Sequence, residues 1–117
     1  MVELYRLACV PCHTGDPSLS GNDIIRWHRE IPQWEVKQVD GIRRLERVFT
    51  FKDFAEAMNF TINVATLAEK EKHHPLIIVE YGKVTLNWWT HKVQGLHLND
   101  FIMAAKVDGL ISSVHLR

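Results

Sequence analysis

Glu69-Lys70-Glu71-Lys72-His73-His74-Pro75 closes the longest periodic segment of the chain, and how the backbone leaves it decides the fold. Upstream, Phe51–His73 repeats apolar residues at helical spacing, which predicts one long helix. At roughly 100° per residue, Lys52, Glu56, Asn59, Asn63, Thr66 and Lys70 share a narrow polar stripe. The apolar arc is wider: Phe51, Phe54, Met58, Ile62 and Ala65 mark its centre, and Phe60, Val64 and Leu67 extend it to one side. Such an arc covers a sheet and still presents apolar surface to a second copy, so an oligomer using this helix is expected. Pro75 disfavours helical geometry at His74. The chain must turn out there, and Leu76–Tyr81 and Val84–Thr90 follow as a hairpin about Gly82-Lys83.

Working back from the helix, Trp34–Val39 and Ile42–Thr50 read as two strands joined by Asp40-Gly41, a strong two-residue turn signal. Arg43, Arg44, Glu46 and Arg47 place charge on a solvated face of that pair. Ser20-Gly-Asn-Asp23 has the form of a capping box, with Leu19 and Ile24 as its hydrophobic staple. The helix it starts should end near Glu30, because Pro32 follows. Beyond the second hairpin, a last helix is expected from Leu98 to Asp108, with Gly109 as its stop. Val114-His115-Leu116-Arg117 reads as a tail. The order of elements is α-β-β-α-β-β-α.

A chain of 117 residues is one domain by default. Its 14 basic and 14 acidic residues balance, which removes the electrostatic argument for nucleic acid. No apolar run approaches the eighteen or so residues needed to cross a bilayer. The start, Met1-Val-Glu-Leu-Tyr-Arg, lacks the pattern of a secretory signal. With two cysteines in such a chain, a reducing, cytoplasmic setting is expected. Residues 1–19 read as an irregular segment ahead of a domain at 20–117. They contain Cys9-Val-Pro-Cys12-His13, which suits two half-buried thiols, a redox pair, or three zinc ligands. A single CxxC lacks its second half, which favours the thiols.

The titratable groups gather around the quoted stretch. On the helical wheel Glu69 falls within the apolar arc, where a carboxylate must find a partner or be protonated. His73 lies four residues on, the spacing at which helical side chains meet. Pro75 pushes His74 extended, so the two rings diverge. On the final strand Val84, Leu86 and Trp88 share one face, and Thr85, Asn87, Trp89 and His91 the other. The first face is core-like; the second suits the wall of a small-molecule site. Glu69, His73, His74 and His91 together read as a proton-transfer site, since imidazole titrates near operating pH. Three histidines and a glutamate could also hold zinc or iron, although adjacent His73 and His74 make that awkward.

The pattern Glu69-x3-His73-His74-Pro75-x5-Tyr81-x9-His91-x8-Asp100 resembles the pterin-4a-carbinolamine dehydratases, from about Ser20 to Asp108. Trp34, Phe51-Lys-Asp-Phe54, Thr90-His91 and Gly95-Leu96 extend the likeness. The resemblance implies an α+β domain whose four-stranded antiparallel sheet is covered by helices on one face, assembling as a homodimer or homotetramer. It implies removal of water from a 4a-hydroxytetrahydropterin to give the quinonoid dihydropterin, without metal or organic cofactor. Carried over by position, His73, His74 and His91 become the site histidines and Glu69 their partnered acid, expected to orient His73. Trp34, Trp89, Thr90 and Asp100 are candidate pterin contacts. Tetrahydrobiopterin recycling and molybdopterin turnover both remain open as settings. So does a non-catalytic role, since relatives serve as dimerisation cofactors of a transcription factor. Two departures stand out: His97 occupies the helix-capping place where a Ser or Thr is usual, and Trp88-Trp89 precedes Thr90 where smaller residues are common.

Overall fold

The computed structural model describes residues 3–115. Met1, Val2, Leu116 and Arg117, and with them parts of the start and tail read above, lie outside the described residues. A short 3-10 turn at Leu4–Arg6 precedes α1 (Gly21–His28), β1 (Glu35–Val39), β2 (Ile42–Thr50), α2 (Phe54–Glu71), β3 (Leu76–Glu80), β4 (Lys83–Trp88) and α3 (Leu98–His115). The four strands form one sheet in the order β1-β2-β4-β3, every neighbouring pair antiparallel. This is the expected α+β architecture.

Register decides which residues meet the helices. Leu45 pairs with Trp88, Phe49 with Val84 and Ile77 with Leu86, so these side chains share the covered face. Against them α2 buries Ala57, Phe60, Val64 and Ala68, and α3 buries Phe101, Ile102, Ala104 and Val107. Phe60 stacks between Phe49 at 4.7 Å and Phe51 at 5.2 Å. Full burial of each such side chain contributes roughly 1.5–3 kcal/mol. Asp40 and Gly41 both take positive φ, as the first hairpin turn requires. The second turn is Tyr81-Gly82 rather than Gly82-Lys83. Gly82 has φ +68°, and a Cβ there would sit 2.9 Å from the Phe51 carbonyl, so only glycine fits this close approach.

The structure corrects four boundaries. Phe54, not Phe51, begins the long helix: the Asp53 carboxylate before it accepts the Glu56 N–H at 2.8 Å as an N-cap. The helix ends at Glu71, because Lys72 turns left-handed (φ 57°) and its N–H and that of His73 both return to the Ala68 carbonyl. The last strand stops at Trp88; Thr90 instead makes an isolated bridge to Gly95. Gly109 does not stop α3, which continues to His115 and takes Val114 and His115 out of the tail. The glycine has no positive φ, so nothing at that position breaks the ladder.

The wide arc of α2 is divided differently from its wheel. The core takes the Ala57–Phe60–Val64–Ala68 side, while Phe54 and Ile62, read as the arc's centre, are 49% and 56% exposed.

Candidate active site

The turn out of α2 carries His73 away from its own helix. Its Nε2 lies 2.6 Å from Asp100 Oδ1, in the first turn of α3. The ring lies parallel to the Trp88 indole, centroids 5.8 Å apart. Asp100 is fully buried, and its other oxygen accepts from the Thr90 hydroxyl and the His97 N–H, each at 2.9 Å. A carboxylate with both oxygens committed is a rigid anchor. It fixes the orientation of His73 through Nε2, so Nδ1 is the ring nitrogen that this contact leaves uncommitted.

Glu69 does not reach His73. Its side chain is 79% exposed and meets His74 Nε2 at 3.2 Å on the outside of the molecule. An i to i+4 contact needs helical geometry through His73, and the left-handed Lys72 breaks it. Trp34 is also placed differently from expectation. It is buried just before β1 and donates Nε1–H to Asp108 Oδ1 at 2.8 Å, tying α3 to the sheet. Arg47 donates to the same oxygen at 2.6 Å. Burial nonetheless pushes the Asp108 carboxyl up, against the lowering by Trp34 and Arg47.

A cavity of about 460 Å³ brings together His73, His74, His91, Trp89 and Thr90. That lies within the ~300–1,000 Å³ usual for small-molecule sites. His91 is exposed on the 3-10 turn His91–Val93, its ring 5.1 Å from that of Trp89. Behind Trp89, the Arg44 guanidinium stands 3.9 Å from the indole centroid, a cation–π contact that holds the wall in place. Trp34 and Asp100 do not line this cavity, and neither do Thr85 and Asn87 from the strand face read as its wall. Asn87 is buried instead and donates to Glu46 on the neighbouring strand.

His97 restores the helix cap by another route. Its Nδ1 accepts the Asn99 N–H at 3.0 Å, while Asp100 accepts the His97 N–H in return. This is a capping box with an imidazole in place of a hydroxyl. Burial lowers the His97 pKa, as does nearby His73, while Asp100 and Asp16 raise it. The neutral ring is the form that can accept. Arg44, Asn99 and His97 are not among the site residues expected from sequence; the local signal for the last two is the set of polar residues His97, Asn99 and Asp100 around the start of α3.

Among the described residues, no three His, Cys, Asp or Glu side chains cluster as metal ligands. His13 is exposed beside Asp16 and forms no such cluster with the two thiols it was grouped with. No helix among the described residues is long and apolar enough to cross a membrane.

The sequence profile described as "Pterin 4 alpha carbinolamine dehydratase" matches residues 17–110. The chain belongs to this family. A curated relative from Nitrosococcus oceani is 49% identical over 111 residues, covering 95% of this chain and 98% of its own. One from Chlorobium limicola is 51% identical over 110 residues, covering 94% and 97%. Both carry the provisional name pterin-4-alpha-carbinolamine dehydratase. Among solved structures, a transcriptional coactivator/pterin dehydratase from Brucella melitensis matches with TM-score 0.71 and 32% identity, over 80% of this chain and 97% of that one. A pterin dehydratase-like protein identified as a RuBisCO assembly factor matches with TM-score 0.57 at 23% identity, covering 67% and 88%, and shares the fold.

Proposed function

We propose that the chain dehydrates a 4a-hydroxytetrahydropterin to the quinonoid dihydropterin and water, with His73 and His91 as the proton-transfer groups. The observation that carries this reading is the convergence of three histidines on one cavity, one of them anchored by a buried carboxylate. In the reaction the C4a–O bond breaks and the hydroxyl leaves as water after taking a proton. The N5–H proton passes to an acceptor, and its electron pair closes the C4a–N5 double bond. No net oxidation occurs and no cofactor is called for. Imidazole can fill either role, and such catalysis typically contributes on the order of 10²–10⁴-fold.

Asp100 takes the orienting role first assigned to Glu69, and Thr90 supports it, since its hydroxyl is committed to that carboxylate. His74, more exposed and backed by Glu69, suits binding of the pterin and its leaving hydroxyl. Trp89 offers an aromatic face beside His91. We place this chemistry in residues 20–117, in a cytoplasmic protein that recycles tetrahydrobiopterin or a related pterin. Exposed Phe54 and Ile62 on α2 support a homodimer or homotetramer.

The test is dehydration of a freshly generated 4a-hydroxytetrahydropterin, followed by its ultraviolet absorbance, with and without the protein. Acceleration supports the reading. An unchanged rate, with no pterin binding by tryptophan fluorescence, overturns it.

A further inference from the structure

The family profile begins at residue 17, so it assigns nothing to the segment before it. That segment is not loose. The Cys9 N–H donates to Glu71 Oε1 at 3.0 Å, at the end of α2. Val10 exchanges two bonds with the Asn99 side chain: its N–H donates to Oδ1 at 3.0 Å and its carbonyl accepts from Nδ2 at 2.7 Å. The amide thus pairs with Val10 as a neighbouring strand would. Asn99 Nδ2 also stands 3.3 Å from Cys12 Sγ. Lys92, next to His91, donates to the Cys12 carbonyl at 3.2 Å, and the Gly15 N–H donates to the Lys92 carbonyl at 3.2 Å.

These ties run to the three places that carry the site: the turn before His73, the turn of His91, and the start of α3 beside Asp100. The side chains they hold in place face the site. Cys9, Val10, Pro11 and Cys12 line the same cavity as the three histidines. Val10 is 58% exposed although it lines a concave surface, so the fold itself supplies no partner for it. A tail that merely packed on the body would bury its apolar residue against that body, as Leu4 does. Cys9 is also neutral: burial, with Glu71 and Asp100 nearby, pushes its thiol up to about 12. Burial likewise raises Cys12.

We infer that Cys9–Cys12 form a substrate-contacting wall, and that Asn99 is the positioning residue that docks it. The wall presents apolar and uncharged groups, so it takes an uncharged face of the bound pterin. Asn99 and Asp100 then divide the first turn of α3 between two tasks, one holding the wall and the other holding His73. The inference rests on the dehydratase reading and adds to it a binding element ahead of the residues that the family profile matches.

The chain has only two cysteines, so their alkylation by iodoacetamide, driven at alkaline pH because both thiols are pushed up, reports on the wall. The full-length protein is labelled with and without 7,8-dihydrobiopterin, which lacks the leaving hydroxyl. KM and kcat are measured for wild type, Asn99→Ala and Val10→Trp. The pterin should slow labelling several-fold in wild type. Asn99→Ala should label faster, lose that protection, and raise KM about tenfold, the loss of one or two good hydrogen bonds, with a smaller fall in kcat. Val10→Trp changes an exposed side chain and should raise KM too; it decides the matter if Asn99→Ala does not fold. If wild type turns the pterin over while its cysteines label equally with and without ligand, and Val10→Trp keeps the wild-type KM, the wall is refuted and the dehydratase reading stands. If wild type neither turns over nor binds the pterin, the dehydratase reading fails and the wall falls with it.

Discussion

His73 and Asp100 meet across the molecule, Nε2 to Oδ1 at 2.6 Å, and the same carboxylate accepts from Thr90 and from the backbone of His97. One buried acid therefore joins the end of α2, the loop after β4 and the start of α3. Removing its charge should disturb catalysis more than binding. Asp100→Asn is expected to lower kcat by about 10²-fold, within the usual range for loss of general acid/base help. Glu69→Gln, on the outer side of His74, should cost markedly less. Steady-state kinetics of the two variants side by side check this ranking. Equal losses would return Glu69 to the part sequence spacing suggested.

His97 makes stability depend on pH in a stated direction. Its folded pKa is lowered, chiefly by burial, so the unfolded chain takes up the proton first. The His97 contribution is intact above its ordinary value near 6.5 and is lost as pH falls through the folded pKa. His97→Ser keeps a capping acceptor but does not titrate. Between pH 7 and pH 5 the Tm of wild type should fall further than that of the variant. Parallel Tm curves would remove His97 as the source.

Trp34 should matter for stability and little for turnover. Its indole N–H satisfies Asp108, whose carboxyl is already pushed up by burial. Trp34→Phe deletes that donor while Arg47 keeps its bond to the same oxygen, and should cost about 0.5–1.5 kcal/mol in urea unfolding, the net contribution of one hydrogen bond. Its kcat/KM should stay within about threefold, well short of the tenfold that 1.4 kcal/mol of lost substrate binding would bring. A KM rise without loss of stability would put the indole back against the pterin.

Gly109 lies inside α3 with ordinary φ, and a Cβ there meets nothing within 4 Å. Gly109→Ala should therefore stabilise the protein by about 0.4–1 kcal/mol. Thermal unfolding of the pair reads this out. A lower Tm would mean that the helix end is not continuous as described.

What the sequence made legible was local. Asp40-Gly41 demands its turn chemistry within two residues, and the alternation of Val84, Leu86 and Trp88 names its buried face directly. The capping box at Ser20 is likewise short-range, and its hydroxyl does accept the Asp23 N–H. Sequence carries little where a distant partner or an unmarked backbone state decides the geometry. Lysine carries no signal for left-handed geometry, so Lys72 hid the turn that separates His73 from Glu69. Trp34 and Asp108 lie far apart in the chain, and nothing near Trp34 marks it as an anchor. Gly109 was read by its usual role, though glycine also occurs within helices at a cost of about 1 kcal/mol. The N-terminal segment has no periodicity to read, so its docking on Asn99 shows only in three dimensions.

The most direct test of the histidine site is the ultraviolet dehydration assay on wild type, His73→Ala and His91→Ala, with folding of each variant checked by circular dichroism. Wild type should accelerate loss of the 4a-hydroxytetrahydropterin, and each folded variant should lose on the order of 10²-fold or more of that acceleration. Two folded variants that both keep the wild-type rate would contradict the histidine site.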